Sequence, residues 1–281
     1  MNRLHLIILA ALLTTTGALA RGQRQIVILH TNDTHSCILP LNPNLADTAL
    51  ANRGGYLRRM AMVSEQRRQQ PDLLLFDSGD FSQGSPYYTM FKGDVEVELM
   101  NQMGYDAATI GNHEFDYGLD NMVRLFRKAR FPIVCSNYDF SGTELQGLVK
   151  PYITLRRQGV KIGVFGLAPK LEGLVFTKNY GPIRYLDASE VAQQMVDLLR
   201  KQEKCDIVIC LSHLGWSVTD PCDEQVIERT TGIDVVLGGH SHTYLQKLEW
   251  VGDRQGHAVA VDQNGKSGIY VGRLVLNVER K

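Results

Sequence analysis

The sequence predicts an α/β fold with a large β-sheet content and helices on the outside. Three observations predict it. Short apolar runs alternate with helical patterns, turn residues bound the runs, and no repeat or low-complexity linker interrupts them. The 281 residues, 44% hydrophobic and 21% charged, suffice for one large domain or two small ones. Thirty basic and 30 acidic residues leave no basic footprint that would predict nucleic-acid binding.

The N-terminus has the pattern of a cleavable signal peptide. Arg3 and His5 precede an apolar run at residues 6–13, and Ala18-Leu19-Ala20 forms an A-x-A end. The run is shorter than the ~20 apolar residues that a spanning helix needs. The alternative is a buried N-terminal helix. We predict a signal peptide at residues 1–20, one domain at residues 21–281, a secreted or periplasmic location, and no stable membrane anchor.

Strands and helices follow from these runs in chain order. Apolar runs rich in Leu or β-branched residues predict buried strands at residues 25–29, 73–76, 107–110, 132–134, 161–167, 206–211 and 235–237. Helical periodicity between them predicts helices at residues 55–70, 95–103, 119–129, 188–204 and 223–230. The C-terminal part predicts a meander of strands around residues 244–249, 257–261 and 269–278.

Five cysteines are widely spaced and form no CxxC pair: Cys37, Cys135, Cys205, Cys210 and Cys222. Export would place them in an oxidising compartment, but an odd number without regular spacing gives no disulfide framework. We therefore expect buried free thiols with one or two bridges at most, and no zinc site built from cysteine. Cys205 and Cys210 are predicted to face opposite sides of one strand.

Polar side chains follow five of the predicted strands at the point where each strand ends. In an α/β sheet such loops gather at one edge, where ligands bind. The sequence therefore predicts a cleft formed by Asp33, His35, Asp80, Asn112, His113, His213, His240 and His242. Of the seven histidines that follow the predicted leader, only His30 and His257 fall outside this set.

The residue types in this set indicate a divalent metal site. Imidazole nitrogens with carboxylate and amide oxygens suit Zn²⁺, Mn²⁺ or Fe²⁺. Because the candidates outnumber one coordination sphere, we expect two ions, bridged by a carboxylate and about 3.5–4 Å apart. Each residue alone has a plainer interpretation: Asp33 and Asp80 as turn residues, Asn112 as a left-handed residue, His213 as a core histidine. Five coincidences at strand ends favour the metal site.

Glycines accompany these loops. Gly79 and Gly111 are expected to let the backbone turn sharply beside a ligand, as is Gly238-Gly239 before the last histidine pair. The glycines at residues 159–166 lack both the GxGxxG spacing and a following helix, so they do not predict a dinucleotide site.

Two longer motifs resemble the signatures of the 5′-nucleotidase family, which belongs to the calcineurin-like metallophosphoesterases. They are His30-Thr31-Asn32-Asp33-Thr34-His35 and residues 105–118, which include Gly111-Asn112-His113-Glu114. Residues 79–86, 212–215 and 239–242 match the remaining blocks of the family. The resemblance extends from about Gln25 to the C-terminus. It implies a four-layer sandwich of two mixed β-sheets flanked by helices.

The resemblance also implies roles by position. One divalent ion (Zn, Mn, Fe, Co or Mg) would be held by Asp33, His35, Asp80 and His242. The second would be held by Asp80, Asn112, His213 and His240, with Asp80 as the bridge. His113 and Asp116 would be the catalytic pair, and Asn112 and His113 would contact the substrate. The position of Asp116 suits orientation of the His113 ring, and a cap near the helix that starts at Leu119 is a second role that does not exclude the first.

The implied reaction is hydrolysis of a phosphoester by a hydroxide that bridges the two ions. Protonated His113 would stabilise the developing charge or donate to the leaving oxygen. The expected substrate is a small phosphoester, above all a nucleoside 5′-monophosphate. Many 5′-nucleotidases carry a C-terminal domain that recognises the nucleoside, whereas this sequence ends at Lys281. Either a separate C-terminal-domain protein supplies that part, or the substrate is another or broader one.

Other functions stay open on the same site. A 2′,3′-cyclic-nucleotide phosphodiesterase, a nucleotide-sugar hydrolase or a sulfur-compound hydrolase would use the same ligands. A non-catalytic subunit of a split 5′-nucleotidase is a further alternative, but its signature would be lost ligands, and none is missing here.

Overall fold

The computed structural model describes residues 6–8 and 23–279. In chain order the strands are β1 (Leu6–Ile8), β2 (Gln23–Thr31), β3 (Leu74–Asp77), β4 (Ala107–Ala108), β5 (Tyr138–Asp139), β6 (Tyr152–Arg157), β7 (Val160–Leu167), β8 (Arg184–Tyr185), β9 (Ile207–Ser212), β10 (Val235–Leu237), β11 (Glu249–Gly252), β12 (Ala258–Asp262) and β13 (Gly272–Glu279). One sheet has the order β1-β13-β2-β3-β4, the other β11-β12-β10-β9-β7-β6, and β5 pairs with β8. Both large sheets are mixed, with parallel strands beside antiparallel ones.

The helices are α1 (Tyr56–Gln69), α2 (Pro86–Phe91), α3 (Asp94–Met103), α4 (Gly118–Lys128), α5 (Thr177–Tyr180), α6 (Ala188–Asp197) and α7 (Asp223–Arg229). Local chemistry sets several ends. The Ser85 hydroxyl accepts the Tyr88 N–H at the start of α2, where Pro86 fills the first position. Gly104 ends α3 with a φ of 70°, a left-handed conformation that glycine adopts without a Cβ clash.

Three hydrophobic clusters show how the layers stack. Ile28 and Ile209, on different sheets, share the cluster between the sheets. Leu75 packs with residues of α1, α3 and α4 on the outer face of the first sheet, and Val208 packs with residues of α6 and α7 outside the second. Strands covered on both faces read as continuous apolar runs, which is why the sequence reveals them. The predicted four-layer sandwich, two mixed sheets between helices, is confirmed.

The structure differs from the predicted strands at three places. The run at residues 132–134 makes only isolated bridges, of Ile133 with Ala108 and of Val134 with Lys150. The C-terminal meander is wrong, because β11 and β12 pair in the second sheet while β13 crosses to the first and pairs with β2. Strand β6 was not predicted. It joins β7 through Gln158 and Gly159, both at positive φ, and it lies half-exposed at a sheet edge without a continuous apolar run.

Two further expectations concern helix 188–204 and the cysteines. The helical path continues past α6 as a π-helical turn, Leu198–Gln202. Cys205 precedes β9 and packs in the same cluster as Cys210, so the two do not face opposite sides of a strand. All five cysteines are free thiols, and four of them are buried, which confirms the expectation of buried free thiols.

The predicted signal peptide lies largely outside the described residues. Of that segment the structure describes only Leu6–Ile8, which pairs antiparallel with β13. Among the helices in the described ranges, none combines the length and the apolar character needed to cross a bilayer.

Candidate functional site

The carboxyl ends of strands from both sheets meet at one edge. Parallel strands β2 and β3 end side by side, with Thr31 opposite Asp77. In the other sheet β9 and β10 do the same, with Leu211 opposite Leu237. Ser78, directly after β3, links the sheets because its hydroxyl donates to the Leu237 carbonyl at 2.7 Å. The loops that follow these four strands therefore open into one cleft.

Unusual backbone conformations are concentrated in these loops. Five of the seven candidate metal ligands have positive φ: Asp33 (47°), His35 (43°), Asp80 (55°), His240 (72°) and His242 (53°). Such residues cost about 1–3 kcal/mol each and persist where the surrounding structure holds them. Backbone strain of this kind is common at functional sites. Here the strained residues lie on separate loops, and their side chains point into the same cleft.

One group of ligand atoms comprises Asp33, His35 and His242. The Nε2 atoms of the two histidines are 2.9 Å apart, and Asp33 Oδ1 lies 3.4 Å from Nε2 of His242. Nδ1 of His35 donates to the Ser82 carbonyl at 3.4 Å, which leaves Nε2 with its lone pair toward the cleft. The backbone N–H of His240 donates to Asp33 Oδ2 at 3.0 Å and fixes the carboxylate.

A second group comprises Asp80, His213 and His240. Nδ1 of His213 donates to the Ser78 carbonyl at 2.6 Å, and its Nε2 lies 3.1 Å from Asp80 Oδ2. Asp80 Oδ1 accepts the backbone N–H of His113 at 2.9 Å. The ring orientation of His213 is thus set by a backbone carbonyl, the arrangement usual for a metal-binding imidazole.

Asp80 stands between the two groups. A third group, His35, Asp80 and His113, shares one member with each of the others. Burial alone would raise the pKa of Asp80, but the neighbouring His213 and then His113 hold that pKa below its ordinary value. The carboxylate is therefore ionised at the point where a bridging ligand is expected.

Two buried atoms test whether the residues fit a metal. Asn112 Oδ1 is buried without a hydrogen-bond partner, and buried His213 Nε2 faces the Asp80 carboxylate at 3.1 Å. An unsatisfied buried oxygen costs about 1–3 kcal/mol, so a cation that Asn112 contacts would remove that penalty. Burial lowers the pKa of His213, yet the carboxylates of Asp80 and Asp33 outweigh it and raise that pKa to about 10. The site thus draws a positive charge, and oxygen and imidazole donors suit a divalent ion.

Two other histidines of the site, His35 and His240, are held in the neutral form that binds metal. Burial lowers the pKa of His35. Burial, together with the charge on His213, lowers the pKa of His240 to about 4. Metal ligation requires neutral imidazole, so both rings are ready to bind at neutral pH.

His113 and Asp116 form a pair at the rim of the cleft. Nδ1 of His113 lies 3.1 Å from Asp116 Oδ1, and both side chains are partly exposed. Burial lowers the pKa of His113, but the hydrogen bond to Asp116 and the charge of Asp80 raise it above its ordinary value. Asp116 does not cap α4, since that helix begins after Tyr117 with no side-chain cap.

Glu114 has a role that the sequence did not reveal. Its buried carboxylate accepts three backbone N–H groups, from Asp80 at 3.0 Å, Ser82 at 3.1 Å and Gly111 at 2.7 Å. It therefore ties the loop after β3 to the loop after β4 and fixes Asp80. One feature of the sequence could have indicated this role: Glu114 is a carboxylate within the Gly111-Asn112-His113-Glu114 motif, and no function was predicted for it.

The glycines act in two ways. Gly79 has a φ of 87°, so the predicted sharp turn is confirmed. Gly111 and Gly239 are not at positive φ, and their contribution is one of space. A Cβ on Gly111 would lie 2.1 Å from Asp80 Oδ1, and one on Gly239 would lie 2.8 Å from His213 Nδ1. Their lack of a side chain lets the ligands approach the backbone.

Replacing Gly111 with Ala is expected to displace Asp80, lower metal content and destabilise the protein by about 1–3 kcal/mol. Metal analysis and denaturant unfolding measure both effects. Gly252→Ala in β11 is the matched control, because its Cβ would meet only Gly256 Cα, at 3.8 Å. A Gly111→Ala protein with full metal content and unchanged stability would contradict the close-approach argument.

The structure brings all eight predicted cleft residues to this edge. His30 and His257 belong to none of the three ligand groups found in the described ranges. His30 is buried and bonds to Asp262 at 2.9 Å. His257 is half-exposed beside Asp253.

Comparison with known proteins decides the family. The calcineurin-like phosphoesterase family model matches residues 26–244. The chain belongs to the calcineurin-like phosphoesterase family. Within the family it is similar to human 5′-nucleotidase, with 35% identity over 84% of this chain and 42% of that protein. It is also 32% identical to the trifunctional nucleotide phosphoesterase protein YfkN of Bacillus subtilis (strain 168), over 92% of this chain and 18% of that protein.

A solved structure agrees with this placement. The 5′-nucleotidase precursor from Thermus thermophilus has a TM-score of 0.81 and 30% identity, and the match covers 90% of this chain and 51% of that one. This calcineurin-like phosphoesterase chain therefore spans about half or less of the length of these relatives.

Proposed function

We propose that the chain is an exported, dinuclear metal-dependent hydrolase of phosphoesters that acts on nucleoside 5′-monophosphates. The observation that carries this proposal is the pair of ligand groups on either side of Asp80, next to the His113–Asp116 pair. Family membership and similarity to 5′-nucleotidases support the reaction class and the nucleotide.

Seven residues of the chain would hold the two metal ions. Asp33, His35 and His242 would hold one ion, and Asn112, His213 and His240 the other, with Asp80 shared. Divalent ions bound there would lower the pKa of an attacking water and neutralise phosphoryl oxygens. Asn112, 6% exposed, stands where its amide can also contact the phosphoryl group.

His113 would supply the proton. Its raised pKa favours the imidazolium form, which stabilises negative charge on the phosphoryl oxygens or donates to the leaving alkoxide. Asp116 accepts from Nδ1 and so directs Nε2 toward the cleft.

An open cleft of about 530 Å³ adjoins the ligand groups and gives space for a nucleotide. Its lining includes His35, His113 and His242 together with Tyr87 and Lys266. An aromatic ring and an ammonium group beside the metal-binding histidines suit a base and a phosphate. The name of the Bacillus subtilis relative, a trifunctional nucleotide phosphoesterase, favours activity on several nucleotide phosphoesters as the second candidate. The alternatives that the sequence leaves open, 2′,3′-cyclic nucleotides and nucleotide sugars, are the ones to test.

A substrate panel tests the proposal. We expect AMP to be hydrolysed in the presence of Mn²⁺, Zn²⁺ or Co²⁺, and hydrolysis to stop with a chelator and return when metal is restored. A 2′,3′-cyclic nucleotide, a nucleotide sugar and a generic phosphodiester serve as comparisons. Faster turnover of one of these than of AMP would replace the 5′-nucleotidase assignment, and no metal-dependent turnover of any would overturn the hydrolase assignment.

Changing Asp116 to Asn should shift the pH dependence of turnover. Loss of the carboxylate lowers the pKa of His113, so the protonated form disappears at lower pH as pH rises. The alkaline limb of the kcat profile should therefore move to lower pH, with metal content unchanged. Asp120→Asn, at an exposed aspartate four residues on, is the control and should leave the profile alone. If the alkaline limb of the kcat profile did not move, Asp116 would not be the group that raises the pKa of His113.

A separate C-terminal-domain protein and export stay predictions. If a partner chain recognises the nucleoside, adding that protein should lower KM for AMP, and no change in rate or binding would count against it. If the leader is cleaved after Ala20, the N-terminal sequence of the exported protein should begin at Arg21.

A further inference from the structure

A second cavity lies on the outer face of the first sheet, between α1 and the segment that leads into β13. It has a volume of about 610 Å³ and shares no lining residue with the cleft beside the metal ligands. Its walls combine charge with apolar surface. Four arginines, Arg53, Arg58, Arg59 and Arg273, line it beside Met62, Ile269 and Tyr270.

In the part of the chain that the structure describes, the arginines of this cavity have no carboxylate at contact distance. No acidic side chain is among its lining residues, and within the described ranges none of the four arginines makes an ion pair. Arg58 donates only to Asn52, and Arg273 Nε donates to the neutral amide of Gln66 at 3.2 Å. Arg53, Arg58 and Arg273 are exposed, and only Arg59 is buried. Partly buried Arg157, by contrast, forms an ion pair with Asp106 at 2.7 Å.

Arg59 is the strongest sign of a missing partner. It is 3% exposed, and all three of its guanidinium nitrogens are buried without a hydrogen-bond acceptor. Its contact with Tyr56 is a cation–π one, with Cζ 4.2 Å from the ring centroid. The nearby carboxylate of Asp77 does not bond to Arg59, because it accepts hydrogen bonds from Thr31 Oγ1 and the Gly79 N–H.

Removing five N–H donors from water without acceptors is among the costliest arrangements a side chain can have. The fold makes room for it, because a Cβ on Gly268 would lie 2.5 Å from an Arg59 nitrogen. A guanidinium held in this way suits a phosphate or carboxylate, whose two oxygens match its fork.

We propose that this cavity is a binding site for a small organic anion that carries two negative charges next to an apolar part. Arg59 provides the inner contact, Arg58 and Arg273 the outer ones, and Met62, Ile269 and Tyr270 cover the apolar part. The ligand chemistry is that of a phosphomonoester or a dicarboxylate.

Calorimetric titration of the metal-loaded protein tests this site with phenylphosphonate and phthalate, two dianions on an aromatic ring. Benzamide, an uncharged ring, is the control probe. Comparison of the two dianions separates a phosphate-type from a carboxylate-type ligand. Binding at the metal ions is common to all variants, so only differences between variants report on the cavity.

We expect the Arg58→Gln/Arg273→Gln protein to bind at least one dianion about tenfold more weakly, and Arg59→Met to lose that binding event. Arg68→Gln, on the same helix but exposed and paired with Glu65, should stay within about twofold of wild type. Because Arg59→Met removes an unpaired buried charge, its melting temperature should rise. No binding of either dianion, equal affinity in all variants, or a lower melting temperature of Arg59→Met with unchanged affinity would overturn the proposal.

Discussion

Replacing Asp80 with Asn is expected to remove bound metal and activity together, with turnover falling by about 10³-fold or more. Asp80 is shared by two of the three ligand groups, and its ionised carboxylate lies beside His213 Nε2 at 3.1 Å. The amide of Asn keeps the shape but removes the charge that two cations would share. Metal content of the purified variant and its rate on AMP give both readouts.

The control for this change is Asp72→Asn. Asp72 is an exposed carboxylate just before β3, so its loss should leave metal content and rate unchanged. If Asp80→Asn kept its metal while losing activity, the carboxylate would be a catalytic group and not a ligand. If it kept both, the proposed bridge would be wrong.

Replacing His113 with Ala should reduce turnover by about 10²–10⁴-fold, the usual contribution of a positioned acid. Metal content should stay near wild type, because the two ligand groups beside Asp80 are complete without His113. The hydrogen bond that fixes Asp80 comes from the backbone N–H of His113, which Ala retains. The contrast with Asp80→Asn separates proton transfer from metal binding.

His257→Ala is the matched control, since His257 is a half-exposed histidine outside the ligand groups. Full activity of His113→Ala would show that the imidazole has no part in the reaction. Loss of metal in that variant would instead place His113 among the ligands, as its closeness to His35 and Asp80 allows.

Much of the fold could be predicted because buried parallel strands form continuous apolar runs in the sequence. Strand β10 at Val235–Leu237 was predicted with its observed ends, and α1, α3, α4 and α7 begin and end within one residue of their predicted bounds. Pairing was harder. The crossing of β13 to the first sheet depends on contacts with β2, about 240 residues away in the chain, and no local pattern records such a contact.

For the site, the sequence alone determined which residues gather at the sheet edge. Each candidate follows a strand, and strand ends of a sheet converge by geometry, so position in the chain was sufficient. Residue type then restricted the ligand, since imidazole and carboxylate together favour a divalent ion.

Only the tertiary structure decided what holds those residues in place and where else charge is left unpaired. Contacts between distant segments produce three features of the structure. They are the hydrogen bonds of Glu114 with Asp80 and Ser82, the close approach of Gly111 to Asp80, and the unpaired guanidinium of Arg59. Distances between such segments follow from packing, which periodicity and motif spacing do not encode. Composition shows equal numbers of acidic and basic residues, whereas the fold places Asp33 and Asp80 among histidines in one cleft and four arginines around a separate cavity.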